Sequence, residues 1–171
     1  MDIRDALPVH PPASDQLRES DETGTIRLGG LAERPHMLSA VELGVLPRER
    51  LTERFACEEG WSVDGLVWEG IPLREIVARG NPLPDARYLR VYAGNYWIAL
   101  PLADLDDALL CDRLNDAPLS REHGAPWRLV VSGGACFTSV KWVSALELAA
   151  EPGDATAERI ARGRIAAQGA G

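Results

Sequence analysis

The chain has 171 residues, 46% of them hydrophobic and 26% charged, which suits one domain with a buried core. Its formal net charge of −8 at pH 7 argues against a nucleic-acid partner, because a phosphate backbone binds a basic surface. No window approaches the roughly 18 uninterrupted apolar residues of a membrane helix, and the start of the chain has no apolar signal-peptide core. The sequence therefore predicts a cytoplasmic protein without a membrane span.

The first part of the chain predicts two strands and a helix behind an irregular tail. The tail is acidic and proline-bearing and shows no periodicity, whereas the strands are predicted from their apolar residues. Ser39, with Glu42 three residues later, is typical of a capping box at a helix start. In chain order, we expect a flexible tail over 1–23, a strand over 25–28, a helix over 39–46, a strand over 51–57 and a loop over 58–66.

The rest of the chain predicts a hairpin, further strands and three helices. Leu73, Ile76 and Val77 would share one face of a helix that begins near Pro72. Gly94, between two apolar segments, marks a hairpin turn. In chain order, we expect a helix over 72–79, strands over 88–91 and 96–100, a helix over 102–111, a polar turn over 119–126, strands over 127–131 and 140–148, and a helix over 156–168.

Short strands interspersed with short helices favour an α+β fold, a single compact domain of mixed short β-sheets with peripheral short helices. The nucleotide-binding patterns GxGxxG and GxxxxGK[ST] do not occur in the sequence. The expected organisation is a flexible tail over 1–23, the domain itself over 24–150, and a C-terminal helix or tail over 151–171.

Cys57 stands at the end of a predicted strand, before a turn that contains Gly60. A thiolate in that position could bind a soft or high-valent metal or act as a nucleophile, and a buried free cysteine is the alternative. A nucleophile would need an activating histidine, so a hydrolase built on Cys57 and His123 stays open. No two cysteines form a CxxC pair, which argues against a structural zinc site.

A second segment combines cations with a histidine and a hydroxyl group in an otherwise acidic chain. Arg128 lies among apolar residues of a predicted strand, and Lys141 is the only lysine among the 18 Lys and Arg residues. A bidentate arginine, a lysine ammonium and backbone amides near Ser139 would suit a phosphate group. The alternative is a solvated strand face on which Arg128 pairs with Glu122 or Asp112.

These stretches belong to a set of motifs that occur in one order along the chain. The motifs are Cys57-Glu58-Glu59-Gly60-Trp61-Ser62, Trp68-Glu69-Gly70-Ile71-Pro72-Leu73, Tyr96 with Leu100-Pro101-Leu102, His123-Gly124-Ala125-Pro126-Trp127-Arg128-Leu129-Val130-Val131 and Ser139-Val140-Lys141-Trp142. Together they resemble the molybdopterin-binding domain of sulfite oxidases and of the catalytic subunits of methionine-sulfoxide reductases. The resemblance covers roughly Thr25 to Leu148.

The resemblance implies a molybdenum-molybdopterin cofactor, with Cys57 as the protein thiolate on the metal. Tyr96 would lie on the substrate side of the metal. The implied activity is oxygen-atom transfer or reduction at molybdenum on a small-molecule substrate, with electrons exchanged with a separate partner protein. The residues implied to hold the pterin phosphate and its surroundings are His123, Arg128, Ser139, Val140 and Lys141.

The chain departs from the family pattern around the substrate pocket. Residues 1–24 do not show the family's N-terminal arm of aromatic, Asn and Arg residues. Ala93-Gly94-Asn95 stands where an aspartate often precedes Gly-Tyr, and Gly134-Ala135-Cys136-Phe137 replaces an aromatic and basic pattern. These departures argue against sulfite as the substrate and motivate an alternative, a non-catalytic pterin-binding or scaffold module of the same fold. Retention of Cys57 favours the enzyme.

Overall fold

This computed structural model describes residues 6–7, 9–11, 13, 15–16, 22–56 and 60–169. Cys57, the predicted metal ligand, lies outside the described residues. In the described ranges, no helix combines the length and the hydropathy that crossing a membrane requires.

Two β-sheets with short helices at their margins make up the fold. The strands are β1 Ile26–Gly30, β2 His36–Leu38, β3 Glu49–Ala56, β4 Ser62–Pro72, β5 Tyr88–Ala93, β6 Tyr96–Pro101, β7 Ala108–Leu114, β8 Ala117–Pro118, β9 Arg128–Val131 and β10 Ala145–Ala149. The helices are α1 Ala40–Gly44, α2 Leu73–Gly80 and α3 Ala157–Gln168, and the short 3-10 turns are Leu102–Asp107, Arg121–His123 and Cys136–Thr138.

The first sheet has the strand order β2-β1-β10-β5-β6, and the second has the order β3-β4-β7-β8, with β9 also paired to β7. β1 and β10 are parallel, whereas the β5–β6 pair is antiparallel. The hairpin predicted around Gly94 is present, and it sets Ala93 opposite Tyr96. Tyr96 therefore begins a strand at one edge of the first sheet.

In the second sheet, β7 and β9 are largely buried on both faces, and the side chains that alternate along the strands enter two hydrophobic clusters. Ile71 and Leu129 belong to the larger cluster, which packs against the first sheet. Trp68 and Val130 belong to the smaller one on the other face. Because side chains alternate along a strand, Arg128 shares the face of Val130 and points toward the smaller cluster.

Three of the predicted helices agree closely with the structure, and the one expected over 156–168 is α3. Ser39 caps α1, with its amide donating to Glu42 Oε2 at 2.8 Å and the Glu42 amide donating to Ser39 Oγ at 3.2 Å. α2 follows Pro72 and buries Leu73, Ile76 and Val77, the three residues expected to share its inner face.

Three predicted elements are wrong. The helix expected over 102–111 is a 3-10 turn followed by β7, because the apolar run that begins at Ala108 pairs with β4 and β9. The loop expected over 58–66 ends early, since β4 begins at Ser62. The strand expected from residue 140 begins only at Ala145, because Trp142 has a φ of 57°, which interrupts an extended run.

Both ends of the chain pack beside the hairpin that carries Tyr96. In the range predicted as a flexible tail, Leu7 is 3% exposed and Gln16 is 4% exposed, and the Asp15 carboxylate accepts from the Asn95 amide at 2.8 Å. At the other end, Thr156 Oγ1 accepts from the backbone amide of Trp97 in β6 at 3.2 Å and so fixes the start of α3.

Candidate functional site

A cavity of about 800 Å³, counting the space at its open mouth, lies beside the second sheet at the start of β6. Its walls include four predicted site residues, Tyr96, Arg128, Ser139 and Lys141. The structure therefore brings together side chains from three separate sequence motifs.

Arg128 is the first residue of β9 and is 4% exposed. Its Nε donates to Ser139 Oγ at 2.8 Å, and its Nη1 donates to the His123 carbonyl at 3.0 Å. The guanidinium carbon lies 4.8 Å from the Trp68 ring centroid and 5.1 Å from that of Phe55. All these partners are neutral, and no carboxylate of the described residues forms an ion pair with Arg128.

The alternative of a salt-bridged strand face does not hold for Arg128. Asp112 pairs instead with Arg48, and Glu122 contributes its backbone carbonyl to Lys141. Burial lowers the pKa of Arg128 to about 10, so the guanidinium stays charged at neutral pH. A buried charge without a counter-charge is costly, and an anion in the cavity would offset that cost.

The turn around His123 presents consecutive backbone carbonyls to the residues of the Ser-Val-Lys-Trp motif and to Arg128. The four hydrogen bonds run to the Arg121 carbonyl from Trp142 Nε1 at 2.8 Å, to the Glu122 carbonyl from Lys141 Nζ at 2.9 Å, to the His123 carbonyl from Arg128 Nη1 at 3.0 Å and to the Gly124 carbonyl from the Trp142 amide at 3.2 Å. The His-Gly and Ser-Val-Lys-Trp motifs are thus one structural unit, although Ser139 lies 15 positions after Gly124 in the sequence.

Gly124 is required where the two cations approach each other. Its φ is 114°, and a Cβ at this position would lie 3.1 Å from Cβ and Cγ of Lys141 and 3.2 Å from Cβ of Arg128. Any side chain here would combine an unfavourable backbone conformation with crowding. The glycine therefore lets the turn lie directly against both cationic residues.

Lys141 supplies a second cation to the same cavity. Its Nζ lies 5.5 Å from the Trp142 ring centroid, and no described carboxylate is within ion-pair distance of it. Burial, and then the positive charges of Arg128 and Arg164, lower the pKa of Lys141 from 10.5 to about 7. A cation whose pKa is lowered by neighbouring cations is stabilised when an anion binds close to it.

His123 lies behind Arg128 and is not part of the cavity wall. It is 8% exposed, its Nδ1 lies 2.7 Å from Ser120 Oγ, and its Nε2 has no hydrogen-bond partner among the described residues. Burial, followed by Lys141 and Arg128, lowers the pKa of the ring. The backbone of Leu7 acts in the opposite direction on the pKa of His123, although no described residue lies in hydrogen-bond geometry to Nε2.

Ser139 and Val140 use their backbone amides inside the chain. The Ser139 amide donates to the Cys136 carbonyl at 3.2 Å, and the Val140 amide donates to the Thr138 carbonyl at 3.1 Å. Val140 is fully buried in the larger hydrophobic cluster. What the structure shows for Ser139 is a hydroxyl that holds Arg128, while the predicted backbone contacts of Ser139 and Val140 to a phosphate stay predictions.

Tyr96 borders the cavity at the start of β6 and is 9% exposed. Its hydroxyl donates to the Phe137 carbonyl at 2.7 Å. Burial raises the pKa of the phenol to about 12, while Arg164 and then Arg128 act in the opposite direction. The phenol is therefore neutral at physiological pH, and its role on the substrate side stays a prediction.

Some cavity residues escaped the motif search. Phe55 and Trp61 line the cavity on either side of the segment that contains Cys57. The sequence placed these two residues only in a strand and in a motif and did not predict them as site residues. Arg164 of α3 was not singled out, although Ala161, Arg164 and Ile165 have the spacing of one helix face and all line the cavity. That spacing was the one available signal.

Comparison with known proteins identifies the family to which the chain belongs. The family described as "Oxidoreductase molybdopterin binding domain" matches residues 13–157. The chain belongs to this family. Membership confirms the predicted resemblance, the molybdenum-molybdopterin cofactor and the oxidoreductase class of the domain.

Individual relatives agree with the family. The chain is 34% identical over 137 residues to the protein-methionine-sulfoxide reductase catalytic subunit MsrP of Xanthomonas axonopodis pv. citri (strain 306), which covers 68% of the chain and 42% of that protein. It is 30% identical over 129 residues to the uncharacterized oxidoreductase YuiH of Bacillus subtilis (strain 168), with coverages of 74% and 65%. It is 28% identical over 174 residues to the mitochondrial sulfite oxidase of Drosophila melanogaster, with coverages of 89% and 30%. The chain thus spans less than two thirds of the length of each relative, and none of these names supports the scaffold alternative.

A solved structure confirms the fold class. The sulfane dehydrogenase SoxCD of Paracoccus pantotrophus superimposes with a TM-score of 0.72 at 24% sequence identity, covering 82% of this chain and 41% of that one. The shared feature is therefore the fold, a sulfite-oxidase-type arrangement of mixed sheets with peripheral helices.

Proposed function

We propose that the chain is the cofactor-binding part of an oxygen-atom-transfer enzyme, in which Cys57 supplies the thiolate to molybdenum and Arg128 and Lys141 bind the phosphate of the pterin. The observation that carries this proposal is Arg128, a buried cation whose partners in the described structure are all neutral.

A phosphate fits the residues that are present. A guanidinium binds two oxygens of one phosphate in a fixed plane, and a lysine ammonium adds a compact point charge. Arg128 is held in one orientation by Ser139, and Lys141 is held by the Glu122 carbonyl. Because these acceptors leave both positive charges uncompensated, the pair is preorganised for an anion.

The assignment of Cys57 is supported by its neighbours in sequence. Phe55 and Trp61 flank the segment that contains Cys57, and both line the cavity. A thiolate is a suitable ligand for a high-valent, sulfur-bound metal. The two rings stack with their centroids 6.2 Å apart, which makes this wall of the cavity apolar and limits the entry of water.

The bound cofactor supplies two-electron oxygen-atom transfer at molybdenum, and the chain supplies binding, orientation and a shaped pocket. Arg128 and Lys141 fix the phosphate end, and the turn at Gly124 keeps the two cations together. Tyr96 presents a neutral phenol to the same cavity, where a small-molecule substrate would bind.

The proposal includes a separate partner protein that exchanges electrons with the cofactor, as the family resemblance implies. The net charge of −8 would favour a partner with a basic docking surface.

The proposal is tested by measuring molybdenum and pterin in protein made in a host that synthesises the cofactor. The wild type should contain near-stoichiometric molybdenum and pterin. The control is Arg27→Gln, which changes an exposed arginine of β1, and it should contain the same amounts as the wild type. Arg128→Gln should retain its circular dichroism spectrum and lose most of the cofactor. A wild type that never contains molybdenum or pterin contradicts the proposal.

A further inference from the structure

Cys136 forms part of the cavity wall and is disulfide-bonded. It begins the short turn Cys136–Thr138 and is only partly buried. The binding of a phosphate by Arg128 and Lys141 does not use this bond. A disulfide in the wall of a site that needs a thiolate matters for function, because a sulfur atom in a disulfide is not available as a thiolate.

The sequence leaves two cysteines as possible partners of Cys136, namely Cys57 and Cys111. Cys111 is free, and it is fully buried in β7 within the smaller hydrophobic cluster. Burial raises the pKa of its thiol, so that it stays protonated and unreactive. Cys111 is therefore not the partner, and Cys57 is the cysteine that remains.

The described residues on either side of Cys57 lie at the same cavity as Cys136. Phe55, two positions before Cys57, and Trp61, four positions after it, both line the cavity. β3 and β4 are paired at the two ends of this short connection. A disulfide needs Cα atoms about 4.4–6.8 Å apart, and a short connection anchored at the cavity wall is able to meet that distance.

We propose that Cys57 and Cys136 form a reversible disulfide that controls whether the chain can take up its molybdenum cofactor. This inference rests on the proposed function, since it takes Cys57 as the ligand of the metal. The reduced form presents the Cys57 thiolate, whereas the disulfide withholds it and leaves Arg128 and Lys141 in place. The oxidised chain therefore keeps its site for the phosphate and lacks its ligand for the metal.

Reduction of the disulfide needs a dithiol. A thiolate of the dithiol attacks the sulfur of Cys136, which is partly exposed, and the S–S bond breaks so that Cys57 leaves as the thiolate. The second thiol of the reductant then displaces Cys136, and the reductant leaves as its own disulfide. The two cysteine sulfurs gain the two electrons and, as thiols, the two protons that the dithiol loses.

Formation of the disulfide needs an oxidant, and a peroxide is of the right class. The thiolate of one cysteine attacks hydrogen peroxide and becomes a sulfenic acid, with release of one water molecule. The thiol of the other cysteine then displaces a second water molecule as the S–S bond forms. Peroxide and dithiol thus set the state of the switch in opposite directions.

The disulfide is tested first in cofactor-free protein, made in a host that does not synthesise the cofactor. Trypsin cuts after Arg and Lys, which places Cys57 and Cys136 in the separate peptides 55–74 and 129–141. After treatment with hydrogen peroxide, we expect mass spectrometry to find these two peptides linked, and dithiothreitol should separate them. Cys111→Ala is the control, and it should keep the link.

Loading is then measured as the molybdenum bound after incubation with isolated molybdenum cofactor. Loss of a group that orients a metal ligand costs about 10–100-fold in metal affinity, and withdrawal of the ligand itself should cost at least as much. We therefore expect the oxidised wild type to bind at least about tenfold less molybdenum than the reduced wild type, and dithiothreitol to restore binding. Cys136→Ala, isolated without peroxide, should bind the same amount with and without dithiothreitol, because Cys57 has no partner in this variant.

Two results would overturn the inference. One is the absence of linked peptides after oxidation, and the other is equal molybdenum binding by the oxidised and the reduced wild type. Failure of the proposed function has a different signature, in which linked peptides form but neither the reduced wild type nor Cys136→Ala binds molybdenum. In that case the disulfide stands, and its control of loading falls together with the proposed function.

Discussion

Arg128 Nε donates a hydrogen bond of 2.8 Å to Ser139 Oγ, which in turn donates to the Leu129 carbonyl at 3.1 Å. Because the serine proton is used on Leu129, the lone pairs of its oxygen face the guanidinium. Ser139 therefore fixes the direction of Arg128 without neutralising its charge. A cation that is oriented but not compensated is what an anion-binding site requires.

The first prediction concerns the stability of the cofactor-free protein. Replacing Arg128 with methionine, an apolar side chain of similar length, removes a buried charge that lacks a counter-ion. We expect the free energy of unfolding in urea to stay the same or to rise by about 1–4 kcal/mol, while the molybdenum content falls. A loss of more than about 2 kcal/mol would show instead that Arg128 mainly supports the fold.

The second prediction is a pH dependence of anion binding by the cofactor-free protein. Since the pKa of Lys141 is lowered to about 7, its ammonium group is mostly protonated at pH 6 and mostly neutral at pH 8. The affinity for sulfate, whose charge does not change over this range, should therefore fall about tenfold between these two values when it is measured by tryptophan fluorescence. Lys141→Ala should bind sulfate more weakly and lose this step, and a wild-type affinity that does not change with pH argues against a cationic Lys141 at the anion.

The third prediction concerns the glycine between the two cations. Gly124→Ala should reduce the free energy of unfolding by roughly 1–3 kcal/mol and lower cofactor retention, because the new methyl group meets both Lys141 and Arg128. Gly133→Ala is the matched control, since Gly133 also has a positive φ, of 65°, but has no atom within 4 Å of the position of a Cβ. Equal effects of the two substitutions on cofactor retention would mean that backbone strain alone, without the contact to the cations, accounts for the result.

Local signals in the sequence predicted local structure well. The capping box at Ser39 and the hairpin at Gly94 each depend on residues within a few positions of one another, and both are present. The segment from Ala108 could not be assigned in this way. Its apolar run suits a buried helix or a buried strand, and pairing with β4 and β9, which lie far away in sequence, decides between them.

The sequence likewise predicted only some of the residues of the candidate site. The motifs predicted Arg128, Ser139 and Lys141, which the structure places in one cavity wall. They did not predict Arg164, because α3 lies beyond the motifs and its inner face is defined only by packing. Nor did the motifs indicate that the backbone carbonyls of the turn at His123 accept hydrogen bonds from the cations. Every residue has a backbone carbonyl, so the residue types do not show which carbonyls act as acceptors.

The central claim, that Cys57 is the protein ligand of molybdenum, is tested most directly by X-ray absorption at the molybdenum edge of loaded protein. Cys136→Ala is the control, because Cys136 is the cysteine of the described residues that lines the cavity. We predict that Cys57→Ser loses one sulfur neighbour of the metal relative to the wild type, whereas Cys136→Ala keeps the wild-type coordination. Unchanged sulfur coordination in Cys57→Ser, or a loss in Cys136→Ala instead, would contradict the claim.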